Sequence, residues 1–173
     1  MKKIMELLQN MKAKNEKKDN KGFSLVELII VIAIMAILVG IVGTQVLPYI
    51  NKSKEAKDFQ IINSYGTAAT TAYSSNAEKT TDVTVVDVYG SNTDADKKPA
   101  ATLETEIIDL VGYVDASKLK AKMGSKKGQT ITHVTCTINP TDSKSGDVEA
   151  KTIVTQAYDK DGKKVFDEVV TQL

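Results

Sequence analysis

The longest apolar stretch of the chain begins at Phe23 and ends before Lys52, which is the first charged residue beyond Glu27. Every residue from Leu28 to Gly43 is apolar or glycine. A run of this length is typical of a helix that crosses the ~30 Å hydrocarbon layer of a membrane. Residues 23–50 are therefore predicted to form a hydrophobic transmembrane helix.

The pattern beyond the apolar run is apolar on one side only. Apolar side chains then recur at steps of three and four residues, the spacing of an amphipathic helix: Phe59, Ile62, Tyr65, Ala69, Ala72 and Tyr73. Residues 51–75 are therefore predicted to continue the helix in amphipathic form. Pro48 has no N–H and interrupts the hydrogen-bond ladder between the two parts.

Residues 76–128 are polar and are predicted to form a loop region with a short helix. A strand is predicted at 83–89. The helix is predicted over 102–112 with Thr102 as its N-cap, and its inward side chains are Leu103, Ile107, Leu110 and Val111.

Residues 129–173 alternate between apolar and polar positions, which predicts a three-stranded antiparallel sheet with a tight turn at Asp161-Gly162. In its first strand the inward side chains are predicted to be Val134, Cys136 and Ile138, and in the second Val148, Ala150, Val154 and Tyr158. Such a sheet needs another element to cover its apolar face. The predicted fold class is therefore α+β, with the amphipathic half of the long helix packed on a small C-terminal sheet.

Charge is unevenly distributed along the 173 residues, whose net charge is +1. Residues 1–22 hold seven lysines against Glu6, Glu16 and Asp19, which gives +4. A basic segment before an apolar span predicts a cytoplasmic N-terminus. All 23 basic residues are lysine, and the absence of arginine argues against specific recognition of nucleic acid.

Two alternatives concern the first 22 residues. Apolar side chains there fall at helical spacing and predict a helix on the inner membrane surface: Met1, Ile4, Leu7, Leu8 and Met11. The alternative is that translation starts at Met11. A secretory signal peptide is a poor match, because no A-x-A-like cleavage site follows the apolar run.

The sequence offers little chemistry for catalysis. Its single histidine, His133, is predicted to lie on the opposite face of a strand from its single cysteine, Cys136, so the two do not form a nucleophile–base pair. One histidine and one cysteine are also too few for a typical transition-metal site. No enzyme activity and no cofactor are expected, and Cys136 is predicted to be a buried thiol.

Lys21-Gly22 followed by "FSLVELIIVIAIMAILVGIV" resembles the N-terminus of type IV pilins over residues 21–50. The resemblance implies recognition of Lys21, cleavage after Gly22 by a prepilin peptidase, and N-methylation of Phe23 by the same membrane enzyme. It also implies partners: further copies of the chain in a helical filament, and the assembly platform proteins of the inner membrane.

Glu27 lies just inside the apolar run, and a charged residue well inside hydrocarbon costs about 2.5–3.5 kcal/mol on insertion scales. The resemblance implies that it forms an assembly salt bridge with the new amino group of Phe23 in a neighbouring subunit. The alternative is a carboxylate that reaches back to the lipid headgroups. Related pilins also imply that the helix melts on assembly in the segment that contains Gly40, Gly43 and Pro48.

The function implied is a structural subunit of a type IV pilus that serves motility, adhesion or aggregation. The subunit would start in the cytoplasmic membrane, with its N-terminus in the cytoplasm, and end in an extracellular filament. The alternatives are a pseudopilin-like subunit of a type II secretion or competence filament, and an ordinary signal-anchored surface protein.

Overall fold

The computed structural model describes residues 23–90 and 98–173. The chain divides into two units, Met1–Leu47 and Pro48–Leu173; we call the second the head unit. Helical conformation runs from Leu25 to Lys79. It consists of helix α1 (Leu25–Ile41), a π-helical turn (Val42–Val46), helix α2 (Leu47–Asn76) and a 3₁₀ turn (Ala77–Lys79). The long N-terminal helix is thus confirmed.

The predicted apolar stripe of α2 covers the sheet. Ile62, Tyr65, Ala69 and Ala72 are buried, and Phe59 and Tyr73 pack at the margin of the core. The helix approaches the strands closely at Gly66, where an added Cβ would lie 3.1 Å from the Thr171 hydroxyl and 3.3 Å from that of Thr155. Small residues on this face therefore let the helix backbone lie against the sheet.

The sheet has four antiparallel strands in the order β1-β2-β3-β4. The strands are β1 (Thr84–Val88), β2 (Ile131–Asn139), β3 (Thr152–Asp159) and β4 (Val169–Gln172). The short strand predicted at 83–89 is β1, and it adds to the edge of the three strands predicted further on. The α+β class is confirmed.

The inward face of β2 is confirmed, but the predicted face of β3 is wrong. Val134, Cys136 and Ile138 are fully buried, and the residues paired with them are Ala157, Thr155 and Ile153. Val154 and Tyr158 therefore lie on the outer face, where the ring of Tyr158 stacks on His133 with 5.3 Å between centroids.

The cause of this error lies in the connection between β2 and β3. The predicted strand included Val148 and Ala150, but β3 begins only at Thr152. The preceding residues form a loop around Asn139, whose buried amide donates to the carbonyls of Ser143 and Glu149. The alternating pattern was counted from Val148 and Ala150, which belong to this loop. The prediction therefore put the wrong side chains on the inner face of β3.

The predicted turn at Asp161-Gly162 is confirmed. Gly162 has a φ of +72°, and the N–H of Asp159 donates to the carbonyl of Lys163 over 3.0 Å. The N–H of Val165 still donates to the carbonyl of Ala157 in β3 over 3.0 Å. The chain then leaves the ladder, and the carbonyl of Phe166 accepts from the side-chain amide of Gln156 over 2.7 Å. Consequently β4 begins only at Val169.

Residues 98–122 form two helices, α3 (Lys98–Val111) and α4 (Ala116–Lys122). Thr102 is not an N-cap, because α3 begins at Lys98 with Pro99 in its first turn, where a missing N–H costs nothing. Leu103 and Ile107 are buried and Val111 packs against the core, but Leu110 is 53% exposed, so its inward assignment was wrong. Helix α4 was not predicted.

Candidate processing and assembly site

Helix α1 begins with a capping box formed by Ser24 and Glu27. Ser24 has extended backbone, and its hydroxyl accepts from the N–H of Val26 over 3.4 Å. In return, the Glu27 carboxylate accepts from the backbone N–H of Ser24 over 3.0 Å. The Ser-x-x-Glu spacing that favours this arrangement is present in the sequence, but the sequence prediction did not include it.

The capping box determines where the Glu27 carboxylate lies. It accepts from the first amide after Phe23, at the end of α1 where the helix dipole favours a negative charge. Hydrolysis of the bond between Gly22 and Phe23 would create an ammonium group on Phe23, next to that amide. The structure therefore holds an acceptor at the place where such a cleavage would create a cation.

The apolar side chains of α1 have no partner in the described part of the chain. No residue of α1 is buried, and the Phe23 side chain is 84% exposed. By length and composition the helix that starts at Leu25 is able to cross a membrane. An apolar surface of this size is typical of a membrane or an interaction site.

The segment from Gly40 to Pro48 is helical but irregular. The π-helical turn Val42–Val46 lies within it, and such turns are rare and often occur at functional sites. Pro48 follows the turn and has no N–H to donate to the carbonyl of Thr44. The Thr44 hydroxyl donates to the carbonyl of Gly40 over 3.1 Å. An added Cβ at Gly40 or Gly43 would meet nothing within 4 Å.

Two of the residues predicted to take part in processing, Lys21 and Gly22, lie outside the described residues. The predicted surface helix that includes Met1 and Met11 lies outside them too, and Phe23 is the first residue described. The arrangement observed at this site therefore consists of Phe23, Ser24 and Glu27, with the irregular segment further along the helix.

Residues 17–43 match the family model of the prokaryotic N-terminal methylation motif, the class III leader of type IV prepilins. The chain carries a prepilin leader. The matched range contains Gly22, Phe23 and Glu27. This motif indicates a type IV pilin-like or pseudopilin-like precursor. A search of curated proteins and a search of solved structures returned no match.

The head unit contains a buried carboxylate, Asp58, that the sequence analysis did not single out. Asp58 is 1% exposed. It accepts from the N–H groups of Gly124 and Ser125, each over 2.8 Å, and from the Ser125 hydroxyl over 2.5 Å. Its position directly before the apolar stripe of α2 was the only indication in the sequence. Asp58 fixes the loop after α4 to the helix.

Cys136 is fully buried on the inner face of β2, which confirms the predicted buried thiol. Burial raises the pKa of this thiol to about 12, so it stays protonated and a poor nucleophile. His133 lies on the other face of the strand, against Tyr158. Among residues 23–90 and 98–173, no group of three or more His, Cys, Asp or Glu is placed to hold a metal ion.

Proposed function

We propose that this chain is the precursor of a type IV pilus subunit and that it polymerises into a surface filament. The observation that carries the proposal is the methylation motif at residues 17–43, which continues into an apolar helix without a buried residue. A subunit of a helical filament needs such a helix twice: first in the membrane, and then among the helices of other copies. The head unit would face outwards.

Processing is the first step of the proposed function. A prepilin peptidase of the cytoplasmic membrane recognises the leader through Lys21, cuts after Gly22 and methylates the amino group of Phe23. The leader carries +4 over residues 1–22, which supports a cytoplasmic N-terminus. Removing it leaves a chain whose first residues are the apolar helix and its capping box.

Assembly is the second step, and Glu27 is its docking residue. The Phe23 ammonium of one subunit pairs with the Glu27 carboxylate of a neighbour, which neutralises two charges inside an apolar helix bundle and fixes the axial register. The capping box supports this assignment because it places the carboxylate at the end of the helix. Assembly platform proteins of the inner membrane would deliver the subunits.

A pseudopilin-like subunit of a type II secretion or competence filament is the second candidate, since the motif indicates either kind of precursor. The folded head unit, with its own core and a polar connection between β1 and α3, favours surface display. Abundance in filaments sheared from cells separates the two, because a pilus subunit would dominate such a preparation.

The experiment that tests the proposal is the intact mass of the chain recovered from sheared filaments. A mature chain that starts at methylated Phe23 is expected. Gly22→Val should leave the leader attached and abolish filaments, whereas Asn20→Val, a matched change within the leader, should not. An uncut chain in filaments, or an N-terminus beyond Gly43, would show that the proposal is wrong.

A further inference from the structure

Six exposed lysines lie at the end of the head unit that is joined to the apolar helix. Three belong to the first turns of α2, and three to the end of α4 and the loop that follows: Lys52, Lys54, Lys57, Lys122, Lys126 and Lys127. We call them the basal lysine patch.

The two halves of the patch are held together by the buried carboxylate of Asp58. Its hydrogen bonds to Gly124 and Ser125 fix the loop against α2. The Cγ of Lys54 lies 3.7 Å from the place that a Cβ on Gly124 would take. Lys54 thus lies beside the loop that carries Lys126 and Lys127, and the hydrogen bonds of Asp58 maintain this arrangement.

Among the described residues no ion pair neutralises the basal lysine patch, although Asp167 and Glu168 line one cavity with Lys127, whose ammonium lies 5.0 Å from the centre of the Phe166 ring. In the described part of the chain none of its six ammonium groups lies within 4.0 Å of a carboxylate, whereas Lys160 and Lys164 in the nearby turn pair with Asp161 and Glu168. With Glu55 and Asp58 the patch carries +4 (six lysines, two acids), while the rest of Pro48–Leu173 carries −6 (ten lysines, sixteen acids). The head unit therefore has a positively charged patch, while its other residues together carry a net negative charge.

We propose that the basal lysine patch binds anionic phospholipid headgroups and so holds the head unit against the outer face of the cytoplasmic membrane before assembly. The inference rests on the proposed membrane-anchored precursor. Lys52 is two residues from Ile50, the end of the predicted transmembrane segment 23–50, so the chain itself brings the patch to the headgroups. Lysines within about a Debye length of an anionic surface are attracted to it.

The consequence concerns extraction of the subunit. Entry into a filament requires release of α1 from lipid and also release of these lysines from headgroups. The leader holds seven lysines on the other side of the apolar helix, so a patch on the outer side is compatible with a cytoplasmic N-terminus. The lipid composition of the outer leaflet would then influence how readily subunits leave the membrane.

Lysine footprinting of the full chain in lipid nanodiscs tests this proposal. Acetylation rates are measured by mass spectrometry in discs of phosphatidylcholine alone and in discs that also contain phosphatidylglycerol. At Lys122 and Lys126 the anionic lipid is expected to slow acetylation roughly fivefold, an effect that high salt removes. Lys79 lies about 33 Å from Lys57 along the helix, at 1.5 Å per residue. Its acetylation rate should be the same in both kinds of disc.

Paired variants complete the test. Substituting Lys54, Lys122 and Lys126 with Gln should remove the lipid-dependent slowing at Lys57 and Lys127. The same change of charge at Lys79, Lys144 and Lys151 should leave it intact. Equal rates in both kinds of disc would overturn the inference, as would protection only in filaments, which would assign the patch to a neighbouring subunit. Failure of α1 to enter the discs would instead contradict the proposed function.

Discussion

Glu27 accepts a hydrogen bond from the backbone N–H of Ser24 in the isolated subunit. A carboxylate near the end of a membrane helix is costly when it has no partner, and the capping box supplies one before any other subunit is present. The proposed ion pair with a neighbouring Phe23 would then add a second partner to a side chain that is already held in place.

Replacement of Glu27 separates docking from helix capping. We expect Glu27→Ala to leave membrane insertion and cleavage intact while filament yield falls about tenfold or more, because loss of one member of a buried ion pair costs about 3–5 kcal/mol. Glu27→Lys should be worse, since it brings two cations together. Sheared-filament yield and the mass of the membrane-bound chain measure both effects.

Ser24→Ala is the matched control, since it removes only the hydroxyl of the capping box. Loss of an N-cap costs about 1 kcal/mol, and the N–H that Glu27 accepts from remains. Filament yield should therefore fall much less than in Glu27→Ala. Equal losses in the two variants would show that Glu27 acts through the helix end and not through a neighbouring subunit.

Asp58 is the second residue whose environment determines its role. Asp58→Ala should destabilise the head unit by about 3 kcal/mol or more, because it leaves two backbone N–H groups and a hydroxyl without an acceptor. The exposed neighbour provides the control, and Lys57→Ala should change stability by less than about 0.5 kcal/mol. Urea unfolding of residues 48–173 measures both; a cost below about 1 kcal/mol for Asp58→Ala would contradict the buried role.

At the scale of single elements, periodicity predicted α2 well and β3 poorly. Six apolar positions at helical spacing located the buried face of α2. In a long helix, an error of one residue in the assigned positions rotates the predicted face only partly. In a strand the same slip exchanges the two faces. The true start of β3 depends on the loop that Asn139 holds through hydrogen bonds of its side chain. These hydrogen bonds cannot be predicted from the local sequence pattern.

Two adjacent alanine substitutions test the observed face of β3. Ile153 is fully buried against the core, whereas Val154 lies on the outer face opposite Thr137. Ile153→Ala is expected to lower the free energy of unfolding by about 2–5 kcal/mol, and Val154→Ala by about 1 kcal/mol or less. A larger effect at Val154, measured by the same urea unfolding, would mean that the face predicted from alternation is the right one.

At the scale of the whole molecule, the leader and the fold class were predictable because each depends on features close together in sequence. The motif that the family model matches spans 17–43, and hydrophobic spacing sufficed for the α+β class. The basal lysine patch was not predictable in this way. Its halves are separated by more than sixty residues in the sequence, and tertiary contacts such as the hydrogen bonds of Asp58 bring them together.

The last prediction concerns the segment from Gly40 to Pro48 during assembly. In the membrane it must stay helical, because lipid offers no partner for free backbone groups. Relative to alanine, a glycine costs about 1 kcal/mol and a proline about 3 kcal/mol within a helix, and the π-helical turn shows that regular α-helical bonding is already lost here. Among packed helices the segment can extend.

We therefore expect a filament map to show lost helical hydrogen bonds between Gly40 and Pro48. The double variant Gly40→Ala with Gly43→Ala is expected to give less extensible filaments, since both added methyl groups meet open space in the subunit. Continuous α-helix through this segment in the filament would refute the prediction.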